Sequence, residues 1–131
     1  VLLAVLLAIS LTLPAQAADK ANSVLVHPGE TVYARFEVKG KKIKLTGFSK
    51  EKDEAAQVVF TIQPDAKKTG LVLKVENRFP RDLTYKLEMR SLSLKQHFVM
   101  PTSPVVANKV SFENFPNLVE QVAAFDFRLE K

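Results

Sequence analysis

The sequence predicts an all-β fold of seven to nine short antiparallel strands packed as a two-layer sandwich. Three observations carry this. Period-two alternation of apolar and polar residues dominates after residue 22, turn signals rich in Pro, Gly and Asn separate the alternating runs, and outside Ser49–Ala56 no 11-residue window shows an apolar stripe of helical period. Asymmetric loops and proline-marked edges favour two open sheets over a closed barrel, and no internal repeat points to a solenoid.

Ahead of these runs, Val1 to Leu13 is apolar apart from Ser10 and Thr12. Pro14 breaks the run, and Ala15-Gln16-Ala17 places small residues where a signal peptidase cuts. Residues 1–17 therefore read as a cleaved secretory signal peptide and residues 18–131 as one β-sandwich domain, periplasmic or secreted. The run falls short of the roughly 18–20 apolar residues of a membrane span. The charged Asp19 and Lys20 follow at once. Residue 1 is not Met and no basic segment precedes the run, so the sequence is expected to be truncated at its start.

The elements follow in order. His27-Pro28-Gly29-Glu30 fits a type II turn, with Pro fixing φ and Gly supplying φ > 0. Thr31–Lys39 then sets Val32, Ala34, Phe36 and Val38 against Tyr33, Arg35, Glu37 and Lys39, the alternation of a half-buried strand. After Gly40, Lys42–Phe48 opposes Ile43 and Leu45 to Lys42, Lys44 and Thr46. Ser49–Ala56 is the one stretch with helical leanings, one or two turns or a charged loop. Gln57–Gln63 aligns Val58, Phe60 and Ile62. A loop over Pro64–Gly70 leads to Leu71–Asn77, which aligns Leu71, Leu73 and Val75. Past the loop Asn77–Asp82, Leu83–Arg90 aligns Leu83, Tyr85, Leu87 and Met89, and Leu92–Val99 continues through Leu94 and Phe98. Pro101 and Pro104 bracket a stretch that cannot be a central strand. Asn114-Phe115-Pro116-Asn117 reads as the last loop. Gln121–Glu130 reads as the last strand, with Ala123, Phe125, Phe127 and Leu129 on one face and Asp126, Arg128 and Glu130 on the other.

About 114 residues follow Ala17, enough for one modest hydrophobic core. The net charge is +5, none of it from the first seventeen residues. There is no Cys, which removes thiol catalysis, thiolate metal sites and a lipid anchor on a mature Cys, and leaves packing to stabilise an exported domain. Nucleic acid is not an expected partner, because the chain is exported and has no Trp on which bases would stack.

No catalytic or cofactor constellation appears, so neither enzyme activity nor a cofactor is expected. His27 adjoins a turn proline and His97 sits in an alternating run. Neither lies beside a G-x-S-x-G or S-x-x-K nucleophile. Glu51, Asp53 and Glu54 lack the glycine and oxygen spacing of a calcium loop. Two surfaces remain. Arg35, Lys39, Lys41, Lys42 and Lys44 form a candidate anionic-ligand face if the second and third runs pair as a hairpin, though edge strands also carry lysines merely to block aggregation. Arg78, Phe79 and Arg81 form a candidate partner loop, with Phe79 either tucked under the sheets or offered outward.

The stretch Leu71–Tyr85 runs as an apolar strand ending in Asn77, a short turn, and Leu83-Thr84-Tyr85 opening the next strand. It resembles the central hairpin of exported bacterial immunoglobulin-like or fibronectin-III-like modules. The resemblance implies an immunoglobulin-like sandwich in which Asn77 caps the turn and Tyr85 packs across the sheets. It implies no functional site, since this fold carries many unrelated activities. The expected function is a non-enzymatic binding or interaction module of the bacterial envelope, partnered by another envelope protein through loops or an open sheet edge. The alternative is a binder of anionic glycolipid headgroups or polysaccharide through the basic face.

Overall fold

A computed structural model describes residues 22–91 and 93–130. The expected signal peptide lies outside the described residues. The described residues contain no helix and nine strands: β1 (Val24–Val26), β2 (Thr31–Lys39), β3 (Lys42–Ser49), β4 (Val58–Pro64), β5 (Gly70–Asn77), β6 (Leu83–Ser91), β7 (Gln96–Pro101), β8 (Val110–Pro116) and β9 (Gln121–Leu129).

All pairings are antiparallel, in the order β7-β6-β9-β3-β2-β4-β5-β8, with β1 also on β9. The sheet curls over on itself. The β3–β9 seam that joins its two halves holds a single register pair, Lys42↔Arg128. Across the fold, Leu83 at the start of β6 forms an isolated bridge with Val105.

Turn chemistry sets the hairpins. Glu30 N–H donates to the His27 carbonyl at 3.0 Å and Gly29 holds φ 86°, the type II geometry. Gly40, at φ 65°, opens a two-residue connection between Lys39 and Lys42, where positive φ at the first central residue matches the right-handed twist of the strands.

The inner faces close around Val32, Phe60, Ile62, Leu73, Leu83, Leu87 and Leu129, all fully buried. An aromatic cluster lies at the centre. Phe127 meets Phe36 and Phe60 edge-on at 4.9 and 6.1 Å between ring centroids and stacks on Tyr85 at 6.3 Å, and Phe36 in turn packs on Phe79 at 6.1 Å. Burial pushes the Tyr85 hydroxyl up to about 12.

Two bulges explain where simple alternation breaks. In β9, Arg128 pairs with Thr84 but Phe125 pairs with Lys86, so two residues oppose one, and Asp126 takes the left-handed conformation at φ 54°. The inward set is therefore Val122 and Ala124, then Phe127 and Leu129. Ala123 and Phe125, expected on one face with Phe127 and Leu129, fall on the opposite face, paired with Glu88 and Lys86, although Ala123 is fully buried there. In β3, Thr46 is the extra residue, and its hydroxyl donates to the Arg35 carbonyl at 3.1 Å.

Of the readings open for Ser49–Ala56, the charged loop is the one found: Ser49 ends β3 and residues 50–56 turn without a helix, with the Asp53 carboxylate drawn to Arg35 and to the Ala55 N–H. Two further expectations are corrected. The run from Leu92 is broken: β6 ends at Ser91, residues 93–95 turn, with Lys95 at φ 53°, and β7 begins at Gln96. Asn114, Phe115 and Pro116 belong to β8 rather than to a loop. Pro116 is tolerated because β8 is an edge strand and Pro116 is its last residue.

Candidate functional site

The β2–β3 register places Lys39 opposite Lys42 and Glu37 opposite Lys44, so these four share the outer face of the hairpin. Lys41 sits at its tip. Arg35 stands on the same face about 13 Å along the strand from Lys39, but it does not join the lysines. Its Nε and one terminal nitrogen grip the Asp53 carboxylate, the second at 2.8 Å, and that guanidinium holds the Asp53 carboxyl below its ordinary value.

The fold adds a residue that sequence spacing left unassigned. Lys42 pairs with Arg128 of β9, so Lys39, Lys42 and Arg128 lie in one row across three neighbouring strands. Beside it Glu37 pairs with Lys44. Glu37 lies 3.7 Å from Lys39, and Asp126 lies 3.2 Å from Lys86 and 3.5 Å from Arg128. Among the described residues, Lys41, Lys42 and Lys44 make no ion pair. Next to them is an open depression of about 270 Å³, lined by Asn22, Glu37, Lys39, Lys42, Ile43 and Lys44. The outward placement of Arg128 is visible in the sequence. Its adjacency to Lys42 depends on which strand edge meets β9, which alternation does not encode.

The candidate partner loop is differently built. Phe79 is 5% exposed and packs on Phe36, so it is a core residue with nothing to offer a partner. Asn77, buried at the end of β5, accepts the Phe79 N–H at 2.9 Å and donates to the carbonyls of Arg81 (2.8 Å) and Val105 (3.0 Å). Arg78 lies on Glu76 and the Ala56 carbonyl. Arg81 donates to the carbonyls of Glu130 (2.9 Å) and Gly40 (2.7 Å). The two arginines tie this loop to neighbouring loops and to the end of the chain past β9, and Arg81 does so beside the basic hairpin tip.

The histidines are also accounted for. His27 Nδ1 lies 3.0 Å from Glu30 and its Nε2 lies 3.1 Å from the Gln121 side-chain amide, so both ring nitrogens have a partner. Lys50, 2.6 Å away, leads the groups that hold the Glu30 carboxyl down to about 2. A depressed carboxylate contributes stability above its unfolded value and loses it as pH falls through the folded one. We expect the urea midpoint to drop as pH falls from about 4.5 to about 2, and Glu30→Gln to flatten that part of the profile. His97 is exposed on β7. Among the described residues no three His, Asp or Glu side chains are grouped to hold a metal ion.

Among the described residues the strand path ends at β7 and β8, each paired on one side only; the three-residue β1 likewise pairs only with β9, and β3 meets β9 only at Lys42. β7 and β8 differ in protection. β8 points Glu113 inward, in register with Leu73, a device that discourages pairing with another strand, while both strands end in a proline, Pro116 and Pro101. β7, Gln96-His97-Phe98-Val99-Met100-Pro101, carries no Lys, Arg, Asp or Glu. Phe98 is 57% and Val99 56% exposed, and as neighbours they occupy opposite faces. Where β7 begins, an apolar cleft of about 140 Å³ opens between Met89, Leu94, Phe98, Pro116, Leu118 and Val119. The buried Ser91 hydroxyl, also in its lining, has no hydrogen-bond partner. A cavity near 150 Å³ accepts one benzene-sized group.

No protein-family model, curated protein or solved structure matches the chain.

Proposed function

We propose that the chain is an exported, non-enzymatic interaction module of the bacterial envelope that takes an extended segment of a partner protein as an added strand along β7. The curled sheet then corresponds to an immunoglobulin-like sandwich whose layers meet at the Lys42↔Arg128 seam. Export rests on the signal-like residues 1–17. The observation that carries the reading is the contrast between the edges: β8 points Glu113 inward, while β7 carries no Lys, Arg, Asp or Glu and exposes Phe98 on one face and Val99 on the other. Free N–H and C=O groups along such an edge supply main-chain hydrogen bonds to an incoming strand, and side-chain pockets select its sequence. The cleft at the start of β7 has room for one apolar anchor, and the Ser91 hydroxyl can receive a polar group beside it.

The test is retention of an envelope protein by the folded domain at high salt, compared with Val99→Lys. An edge lysine is the device natural sheets use to block strand addition, and residue 99 is exposed, so folding should be unaffected. The expected result is a discrete protein retained by the wild type and lost from Val99→Lys. Equal retention by both would overturn strand addition at β7.

A further inference from the structure

We propose that Lys39, Lys42 and Arg128 form a single-file cationic track that binds a linear acidic polysaccharide across the strands. This site is separate from the β7 edge. Adjacent strands lie about 4.8 Å apart, so the three cations span about 10 Å in a straight line. Like charges directly opposite one another weaken a sheet, yet here two such pairs, Lys39↔Lys42 and Lys42↔Arg128, stand side by side. Guarding an edge against aggregation does not account for them, because Lys42 and Arg128 face each other across a formed seam between two strands.

The surroundings leave the track available. Arg35 is held by Asp53 through two hydrogen bonds, whereas Lys42 has no ion pair among the described residues, and Lys39 and Arg128 have only the longer contacts of 3.7 Å to Glu37 and 3.5 Å to Asp126, with side chains 80% and 67% exposed. Lys41 and Lys44 add charge on either side of the line. A polymer bearing carboxylate or sulfate groups at intervals can satisfy several of these cations at once, with Arg128 able to hold one group through two hydrogen bonds. The row is completed by Thr84, and the neighbouring pair is Glu37 and Lys44. This polar strand face has no apolar wedge for a bilayer, which favours a polysaccharide over a lipid surface.

The probe is fluorescein-labelled heparin, with uncharged dextran as control and phosphatidylglycerol vesicles as the competing surface. Affinity is measured over a series of salt concentrations. The wild type is expected to bind heparin and not dextran, with log affinity falling linearly against log salt. Lys42→Gln with Arg128→Gln is expected to reduce that slope by about two, one for each cation removed. Lys42→Arg is expected to retain binding and Arg35→Gln to leave it unchanged, with all variants checked for folding by circular dichroism. An equal loss from Arg35→Gln would show diffuse attraction by net charge and overturn the track. So would binding to the vesicles without heparin, or no binding at all.

Discussion

Phe127→Ala is expected to destabilise the domain by about 3–5 kcal/mol, the usual range for removing a buried aromatic ring. Phe127 sits in β9 just past the Asp126 bulge and meets Phe36, Phe60 and Tyr85, which come from β2, β4 and β6. Its ring is thus the point where both halves of the curled sheet converge. Each aromatic pair adds about 0.5–1.5 kcal/mol beyond area burial, and the collapse available to a site walled by three other rings is limited. A domain of this kind has about 5–15 kcal/mol of stability in all, so the variant should be marginal at room temperature. Urea denaturation followed by near-ultraviolet circular dichroism measures it. A loss below about 1 kcal/mol, well under the range for a buried ring, would mean that the ring does not bridge the two halves.

Asn77→Ala is the second large effect. The side chain satisfies one N–H and two close carbonyls, on Phe79, Arg81 and Val105. Each buried group left without a partner costs about 1–3 kcal/mol, and water at the loop rim recovers part of this, so a loss of about 3 kcal/mol is expected. Asn77→Asp should not rescue it at neutral pH. The carboxylate keeps the acceptor for Phe79 but sets negative charge against the carbonyls of Arg81 and Val105. Burial raises the pKa of such a carboxyl, so its stability should improve as pH falls through that raised value and a donor returns. Denaturation of both variants at neutral and acid pH checks this. If Asn77→Asp were as stable as the wild type at neutral pH, Asn77 would lose its role as the anchor of the loop.

These residues also show what was legible in advance. β2, β5 and β6 announce themselves because one face of each is buried, so Val32, Ala34 and Phe36, or Leu83, Tyr85 and Leu87, recur at every second position. β8 is silent for the opposite reason: Ser111 and Glu113 point inward while Val110 and Phe112 point out, so alternation is inverted. β1 has only three residues and offers too short a period to read. In β9 the expected face was wrong for Ala123 and Phe125, because a left-handed residue at Asp126 shifts parity and nothing in the alternation marks it. The candidate site was legible in the same partial way. The lysines of the hairpin stand close in sequence, but Asp53 cancels Arg35 and Arg128 joins the row only through tertiary register. Phe79 reads either way in sequence, and the ring of Phe36 decides for burial.

The most direct measurement on strand addition is amide hydrogen exchange of the domain with and without the protein it retains at high salt. Strand addition predicts new protection along residues 96–101, where β7 now has one unpaired side, with slower exchange near Ser91 as the cleft fills. Protection confined to the loops at residues 77–82 or 102–109, with β7 exchanging as before, would contradict it.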